Sequence, residues 1–251
     1  HRPAIVAWEH FSLNAGSKLG YWFRIASALA CTRTIVLTDA DRNSYPRWCR
    51  GKVMRIYNFS TIGHTTLSPL DANVVLSIGR LNPQKQFDAL LRAWARVGAA
   101  RTGWTLRIVG NGKEKETLAR LADELGITDS TEFRPATPQI ADHYREAAIY
   151  VMSSRYEGLP MVLIEAKCFG LPCVSFDCPN GPGEIIRHDT DGLLVTSGDV
   201  EGLAAALRRL MTDRKLIRQF GKAANDDAQQ RFSRGNVIVQ WEQLLTKITS
   251  R

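Results

Sequence analysis

Two cations lie beside the start of a predicted helix in the segment Ser77–Lys85. A strand ends at Gly79, Arg80 follows it, and Pro83 suits the first turn of the next helix, which places Lys85 just inside that helix. The free amides and the dipole of a helix start favour a phosphate group, which an arginine can hold through two oxygens while a lysine adds a point charge. The segment predicts an anion site, although cations at helix starts are often only solvated.

Two glutamates with seven residues between them mark a second candidate site. Glu157 follows a strand-like run, Gly158 allows close approach of the backbone, and Pro160 opens a helix that carries Glu165. Ionised carboxylates only accept hydrogen bonds, so a pair facing one pocket suits the vicinal hydroxyls of a ribose and a sugar ring. An acid in the apolar run MVLIEA is costly to bury alone. This cost favours the sugar-binding interpretation over a solvated Glu157 and a Glu165 paired with a lysine.

The elements that must position these residues alternate from Asn73 onward. Short β-branched runs are separated by segments of helical periodicity, which is typical of βαβ units around a parallel sheet. The predicted strands are residues 73–79, 105–110, 149–154, 172–177 and 192–196. The predicted helices are residues 84–97, 113–125, 138–147, 160–169 and 200–211, with more helix from 214 to the end. We therefore expect an α/β domain with a doubly wound parallel sheet, in which ligands bind at the carboxyl edge.

The first sixty residues form a smaller unit. Residues 4–10, 34–39 and 52–58 are strand-like, and the helical segment 16–30 carries an apolar stripe. The stripe consists of Leu19, Trp22, Phe23, Ala26 and Leu29, and core packing explains it better than membrane insertion does. Because three strands make a poor free-standing parallel sheet, we interpret this unit as part of a larger domain. The predicted boundaries are 1–60 for the partial unit, 61–72 for a linker and 73–251 for the second domain.

The net charge is concentrated in that first unit. The 251 residues carry 33 Lys and Arg against 25 Asp and Glu, a net charge of +8, and residues 1–60 hold nine of these cations and three of the acids. Such a bias suits an anionic partner, either an acidic membrane surface or a phosphorylated substrate. A solvated basic face is the equal alternative. Nucleic acid is not expected as a partner, because no nucleic-acid-binding motif accompanies the charge.

Composition and cysteine usage narrow the class of protein. Apolar residues make up 44% and charged residues 23%, which excludes a disordered chain, and no apolar run approaches the roughly 20 residues of a membrane span. The opening residues lack an export signal. The five cysteines form no CxxC pair, so we expect reduced, structural thiols in a cytoplasmic protein. Asp39 and Asp41 spell an Asp-x-Asp, but they end a strand of the first unit, and we expect no metal site.

Several motifs together resemble the donor-binding domain of a known enzyme family. They are GRLNPQK at 79–85, IVGNG at 108–112, EGLPMVLIEAKCFGLP at 157–172, SFDCPNGPGEII at 175–186 and DGLLV at 191–195. This set is similar to that of family 4 retaining glycosyltransferases with the GT-B fold, in particular to bacterial enzymes that build surface polysaccharides. The resemblance covers nearly all of residues 73–251. It implies transfer of a sugar from a nucleotide-sugar to a glycan or lipid-linked acceptor.

The resemblance also implies roles for individual residues. Arg80 and Lys85 occupy the positions that bind the donor's diphosphate, Glu157 lies beside the donor sugar, and Glu165 holds the nucleotide ribose. Arg80, Lys85 and Glu157 are therefore the candidate catalytic residues. The remaining donor-binding candidates are backbone positions in the adjoining loops, namely Gly79, Gly110, Gly112, Gly158, Leu159, Pro160 and Met161. No metal and no cofactor are implied, and the donor substrate is expected to be UDP- or GDP-linked.

The chain departs from the family pattern in two places. Only the last part of the N-terminal acceptor-side domain resembles residues 4–58, so we expect this chain to bind donor but to transfer sugar poorly. Residues 133–138 lack the glycine that the family usually has after this strand, so the residues that contact the nucleotide base are not assigned.

The expected location is cytoplasmic, with peripheral contact to the inner face of the cell membrane. The alternative is a non-catalytic nucleotide-sugar-binding module. A dinucleotide oxidoreductase is disfavoured because GNGKEK lacks the third glycine of its fingerprint.

Overall fold

The computed structural model describes residues 3–10, 13, 17–62 and 66–250. The chain divides into two compact units: unit 1 is His1–Thr61 together with Gln230–Arg251, and unit 2 is Ile62–Gln229. The prediction that residues 73–251 form one domain is therefore corrected at its end, because the last helix packs in unit 1. Within the described ranges, every helix is too short or too polar to cross a lipid bilayer.

Unit 1 contains a three-stranded parallel sheet in the order β1-β2-β3. Its strands are β1 (Val6–Trp8), β2 (Arg33–Val36) and β3 (Val53–Arg55). Its helices are α1 (Lys18–Ala30), α2 (Asp39–Ser44), α3 (Arg47–Arg50) and, from the end of the chain, α11 (Arg234–Thr249). Because successive strand residues point to opposite faces, Val36 packs with Ile25 of α1 while Ile35 packs with Val237 and Leu244 of α11. The sheet thus needs α11 to cover its second face.

The apolar stripe of α1 does not pack into the core, contrary to the sequence-based expectation. Leu19 is 67% exposed, Trp22 62% and Phe23 67%, whereas Ile25 and Ala28 on another side of the helix are buried. The reason is geometric. A helix turns only one side toward its sheet, and α1 has apolar residues on two sides, so periodicity alone could not decide which of them is the core side.

Unit 2 contains a six-stranded parallel sheet in the order β6-β5-β4-β7-β8-β9. Its strands are β4 (Val74–Ile78), β5 (Thr105–Val109), β6 (Thr131–Arg134), β7 (Ile149–Met152), β8 (Cys173–Asp177) and β9 (Gly192–Thr196). Five of these were predicted as strand-like runs. The sixth, β6, is an edge strand of sequence TEFR without a fully buried residue, so it lacks the apolar signal of the others. The α/β class with a doubly wound parallel sheet is confirmed.

The helices of unit 2 connect these strands. They are α4 (Phe87–Arg96), α5 (Lys115–Glu124), α6 (Ile140–Arg145), α7 (Met161–Cys168), α8 (Pro182–Ile185), α9 (Val200–Met211) and α10 (Arg214–Arg231). The five predicted helices correspond to α4, α5, α6, α7 and α9, mostly with shorter bounds. The helical end of the chain is divided into α10 and α11, and Ser233 caps α11 by accepting a hydrogen bond from the amide of Asn236.

A buried ion network joins separate segments of unit 2. Lys167 on α7 is fully buried, and its Nζ lies 3.0 Å from Asp191 Oδ2 and 2.5 Å from Asp227 Oδ2 on α10. The same ammonium donates to the carbonyl of Ile185 at the end of α8, at 2.7 Å. Arg187 approaches from the surface and places its Nε 2.6 Å from Asp191 Oδ2. The network therefore fixes α7, α8 and α10 relative to the turn that precedes β9.

We expect Lys167→Met to destabilise the protein by about 3–5 kcal/mol, because it leaves two buried carboxylates without their main cation. Denaturant unfolding followed by circular dichroism measures this loss. The matched control is Lys222→Met on α10, whose ion pair with Asp226 is exposed and should matter little. Equal stability of the two variants would contradict the structural role of the network.

Candidate functional site

The predicted residues of unit 2 lie where the order of its sheet reverses. β4 pairs with β5 on one side and with β7 on the other, so the chain first builds outward through β5 and β6 and then returns to build β7, β8 and β9. Such a topological switch point leaves a crevice beyond the carboxyl ends of the two central strands, which is where open α/β sheets bind ligands. Arg80 and Lys85 follow β4, and Glu157 follows β7. Three predicted residues thus border the switch point.

Lys85 and Glu157 form an ion pair across the switch point. Lys85 Nζ lies 2.6 Å from Glu157 Oε1, and the two side chains are only 18% and 10% exposed. The stem of Lys85 passes over Gly79, because a Cβ built at Gly79 would lie 3.2 Å from Lys85 Cε. Gly79 therefore makes room for the lysine, and the structure brings these three predicted residues together.

The surroundings of Lys85 differ from the prediction that it lies inside a helix. α4 begins at Phe87, and Gln86 before it has a left-handed φ of 48°. The Lys85 amide donates to the carbonyl of Asn82 at 3.1 Å, which closes a turn, and Ser153 Oγ donates to the carbonyl of Lys85 at 2.8 Å. The lysine is held in this turn by the loop after β7, because that loop satisfies backbone groups that a longer helix would have used.

Arg80 remains available to a ligand. Its side chain is exposed, and among the described residues that side chain makes no hydrogen bond and no ion pair. The neighbouring backbone is nevertheless fixed, since the Leu81 amide donates to the carbonyl of Asn111 at 2.9 Å. A guanidinium with five donors on an anchored backbone suits an incoming anion.

The start of α7 presents backbone amides at the same edge. Pro160 is the residue before the helix, and the Leu163 amide donates to the Pro160 carbonyl at 3.0 Å. Within the described residues, the amides of Gly158, Leu159 and Met161 have no acceptor. These amides and the positive end of the helix dipole favour an anion at this edge, and the predicted contact of residues 158–161 with a donor stays a prediction.

The loop after β8 supports this start of α7. Gly181 has a φ of 117°, and a Cβ there would lie 2.4 Å from Pro160 Cδ and 2.6 Å from the Gly158 carbonyl oxygen. Only glycine fits such a close approach in that backbone conformation. Gly181 was not among the predicted site residues, although its position in the run NGPG could have indicated a strained turn.

Glu165 has a different partner from Glu157. Its Oε2 accepts a hydrogen bond from the hydroxyl of Tyr144 on α6 at 2.7 Å. Burial raises the pKa of Glu165, and the hydrogen bond from Tyr144 partly offsets this rise. Among the residues that the structure describes, no lysine pairs with Glu165, and the neighbouring Lys167 binds Asp191 and Asp227 in the buried network. Tyr144 was missed from sequence, since a tyrosine on another helix carries no local signal of this contact.

Gly110 and Gly112 let two loops pack backbone to backbone. A Cβ at Gly110 would lie 1.9 Å from the Gly79 carbonyl oxygen, and one at Gly112 would lie 2.1 Å from that of Leu81. Asn111 between them also accepts a hydrogen bond from the Ala136 amide, at 3.3 Å, in the loop after β6. These glycines therefore shape the edge of the sheet beside Arg80, and nothing in the contacts requires them to touch a ligand.

The five cysteines and the Asp-x-Asp sequence are the remaining residues considered for thiol or metal chemistry. All five cysteines are buried and free, and burial, with the charge of Glu157 adding to it, raises the pKa of Cys178 to about 12. Asp39 lies 3.1 Å from Arg55, while Asp41 is buried and accepts a hydrogen bond from Thr38 Oγ1. In the part of the chain that the structure describes, no three His, Cys, Asp or Glu side chains are grouped as metal ligands.

Known proteins are similar to this chain in sequence. Residues 61–227 match the family model for glycosyl transferases group 1. The chain is 31% identical over 244 residues to an uncharacterized glycosyltransferase of Haemophilus influenzae, covering 96% of this chain and 69% of that protein. It is 32% identical over 252 residues to the amylovoran biosynthesis glycosyltransferase AmsD of Erwinia amylovora, covering 97% of this chain and 70% of that protein.

Solved structures share the fold. Anabaena HepE, in complex with UDP, superposes with a TM-score of 0.86 at 21% identity, covering 99% of this chain and 72% of that chain. A mutant of Staphylococcus aureus TarM, in complex with fondaparinux, alpha-GlcNAc-glycerol and UDP, gives a TM-score of 0.80 at 23% identity, covering 94% of this chain and 48% of that chain. The family match and the two relatives above 30% identity show that the chain belongs to the group 1 glycosyltransferases, with a GT-B-like fold.

Proposed function

We propose that the protein is a retaining glycosyltransferase of family 4 that takes a sugar from a nucleoside diphosphate donor. The acceptor would be a glycan or a lipid-linked glycan of a bacterial polysaccharide. The observation that carries the proposal is the ion pair of Lys85 and Glu157 at 2.6 Å, beside the exposed Arg80, at the switch point of the sheet. The relative named for amylovoran biosynthesis supports the acceptor class.

The charges at the site suit departure of a nucleoside diphosphate. As the bond to the anomeric carbon breaks, negative charge grows on the leaving phosphate and positive charge grows on the sugar. Arg80, Lys85 and the amides at the start of α7 would stabilise the phosphate, and preorganised donors of this kind are often the largest catalytic contribution. Glu157, at the same edge, would face the sugar. These chain groups account for the charge on both fragments.

The ion pair links recognition of the two parts of the donor. Before donor binds, Lys85 and Glu157 neutralise each other in a poorly exposed position. A diphosphate offers Lys85 a second anionic partner, and the sugar hydroxyls offer Glu157 hydrogen-bond donors. Glu165 stands apart with Tyr144 and suits the ribose hydroxyls. The proposed nucleotide is UDP or GDP, because the motifs assign no residue to the base.

A non-catalytic donor-binding module is the second candidate. The observation that favours it is length, because the chain spans 69% of the Haemophilus influenzae relative and 48% of TarM. Alignment of donor with acceptor can contribute about 7–11 kcal/mol to catalysis, so an incomplete acceptor side would cost most of the rate. Turnover with donor and acceptor, measured on this chain, separates the two candidates.

Removing either cation should weaken nucleotide binding. We expect Arg80→Ala and Lys85→Ala each to lose about 1.5–3 kcal/mol of UDP or GDP affinity, roughly 10- to 150-fold, by calorimetric titration. Arg92→Ala is the control, because Arg92 is an exposed cation on α4. Unchanged affinity in both site variants would refute the assignment of the diphosphate.

Glu165→Gln should weaken nucleotide binding without lowering stability. Burial raises the pKa of Glu165, so the ionised form of this side chain is disfavoured in the folded chain. The free energy of unfolding therefore falls as pH rises from the ordinary glutamate pKa of about 4.3 through the raised pKa of the folded chain. Glutamine removes this loss at neutral pH and can still accept the hydrogen bond from Tyr144. The measurements are UDP affinity and thermal unfolding. A lower unfolding temperature with unchanged affinity would assign Glu165 a purely structural role.

Glu157→Gln should act on the sugar and not on the nucleotide. The variant releases Lys85 from its carboxylate, so we expect UDP affinity to be unchanged or higher, whereas the additional affinity for a UDP-sugar over UDP is lost and transfer slows. Titrations of both ligands against Glu157→Gln and Glu165→Gln test this division. A loss of UDP affinity as large as that of Glu165→Gln would contradict it.

A further inference from the structure

Glu165 is held through one of its two carboxylate oxygens. The residue is half-buried on α7, and its Oε2 accepts the hydrogen bond from Tyr144 on α6 at 2.7 Å. Among the described residues, the other oxygen, Oε1, accepts no hydrogen bond. An ionised carboxylate has about four lone-pair sites for donors. A ligand hydroxyl can therefore donate to a carboxylate that is already fixed at one oxygen.

Tyr144 is a rigid anchor for that oxygen. Its side chain is fully buried, and its ring stacks on Phe169 with 5.2 Å between the ring centroids and 8° between the ring planes. The Val162 carbonyl lies farther from the hydroxyl, at 3.5 Å, so the proton is directed to Glu165. Burial raises the pKa of Tyr144 well above its usual value, which keeps the hydroxyl protonated. The tyrosine is thus a fixed donor to Glu165.

Ring packing alone does not explain the hydroxyl of Tyr144, because a phenylalanine would stack on Phe169 in the same way. A glutamate has several rotatable bonds, and immobilising such a side chain when a ligand binds reduces affinity. The hydrogen bond orders Glu165 before the ligand arrives. It also lowers the pKa that burial raises, and so favours the ionised form that accepts hydrogen bonds from hydroxyls. The contact therefore prepares Glu165 for a ligand with hydroxyl groups.

We propose that Tyr144 is a positioning residue for the ribose of the donor, because it holds Glu165 in the orientation that receives the vicinal ribose hydroxyls. The inference rests on the proposed function, which assigns the ribose to Glu165. The buried ring of Tyr144 leaves it no contact of its own with the donor, so it acts through Glu165. Its hydroxyl should therefore matter for nucleotides that carry ribose hydroxyls and not for nucleotides that lack them.

Calorimetric titration with UDP and GDP, each compared with its 2′,3′-dideoxy form, tests this proposal. The dideoxy forms lack both hydroxyls and should bind the unaltered protein more weakly. Tyr144→Phe should weaken binding of the intact nucleotide about three- to tenfold, because Glu165 must then be ordered on binding. The same variant should leave the affinity for the dideoxy form unchanged. A role of Tyr144 in packing alone would weaken both forms equally.

Two further variants make the result specific. Tyr150→Phe is the matched control, because Tyr150 is also fully buried, with its ring centroid 6.0 Å from that of Tyr144, but its hydroxyl contacts the backbone of Ile78. Any loss of affinity in this control should be the same for both forms of the nucleotide. In a Glu165→Ala background, Tyr144→Phe should cause no further loss, because the residue through which it acts is absent.

The outcomes separate this inference from the proposed function. Unchanged nucleotide affinity of Tyr144→Phe, an equal loss for both forms, or a loss that persists beside Glu165→Ala would overturn the role of Tyr144. A preference of the unaltered protein for ribose hydroxyls that disappears in Glu165→Ala would still support Glu165. If the unaltered protein binds neither nucleotide, or binds the dideoxy forms as tightly, the assignment of the ribose to Glu165 is wrong and the inference fails with it.

Discussion

The pairing of β4 with β5 on one side and with β7 on the other is the interaction on which the site depends. On one side of β4 the sheet continues through β5 and β6, and on the other side it continues through β7, β8 and β9. The loops after β4 and β7 therefore run in opposite directions and leave their backbone groups at an open edge. Lys85 comes from one loop and Glu157 from the other. Their ion pair is therefore a consequence of strand order, since the two residues are far apart in sequence.

Close packing of the loops then determines which side chains can reach that edge. The glycines at 79, 110, 112 and 181 lie where a Cβ would meet a neighbouring loop or the stem of Lys85. The loop after β8 is fixed by buried contacts, because Lys167 Nζ donates to the carbonyl of Ile185 and pairs with two buried aspartates. A buried ion network of this kind costs desolvation and is a weak source of net stability, but it strongly penalises other arrangements. Close packing therefore fixes the loop backbones around the site, whereas the side chain of Arg80 stays exposed.

Much of unit 2 could be predicted from sequence because its strands are buried on both faces and appear as apolar runs. The polar edge strand β6 lacks that signal. The motif residues Arg80 and Lys85 were placed correctly after β4, yet the helix was predicted too early, since the turn at Lys85 depends on Ser153 from another loop. Contacts between distant segments, such as Tyr144 with Glu165, have no local signature. In unit 1 the stripe of α1 has the period of a core face, and only the position of β2 shows that the core lies elsewhere.

Hydrogen–deuterium exchange of the chain with and without a saturating nucleotide tests the central claim most directly. If the carboxyl edge at β4 and β7 binds the donor, UDP or GDP should slow exchange in the segments 79–86 and 157–165, where free amides and the Lys85 turn would be ordered by the diphosphate, and should leave the segments of unit 1 unchanged. Saturable nucleotide binding with protection confined to other segments, or no binding of either nucleotide, would contradict the account.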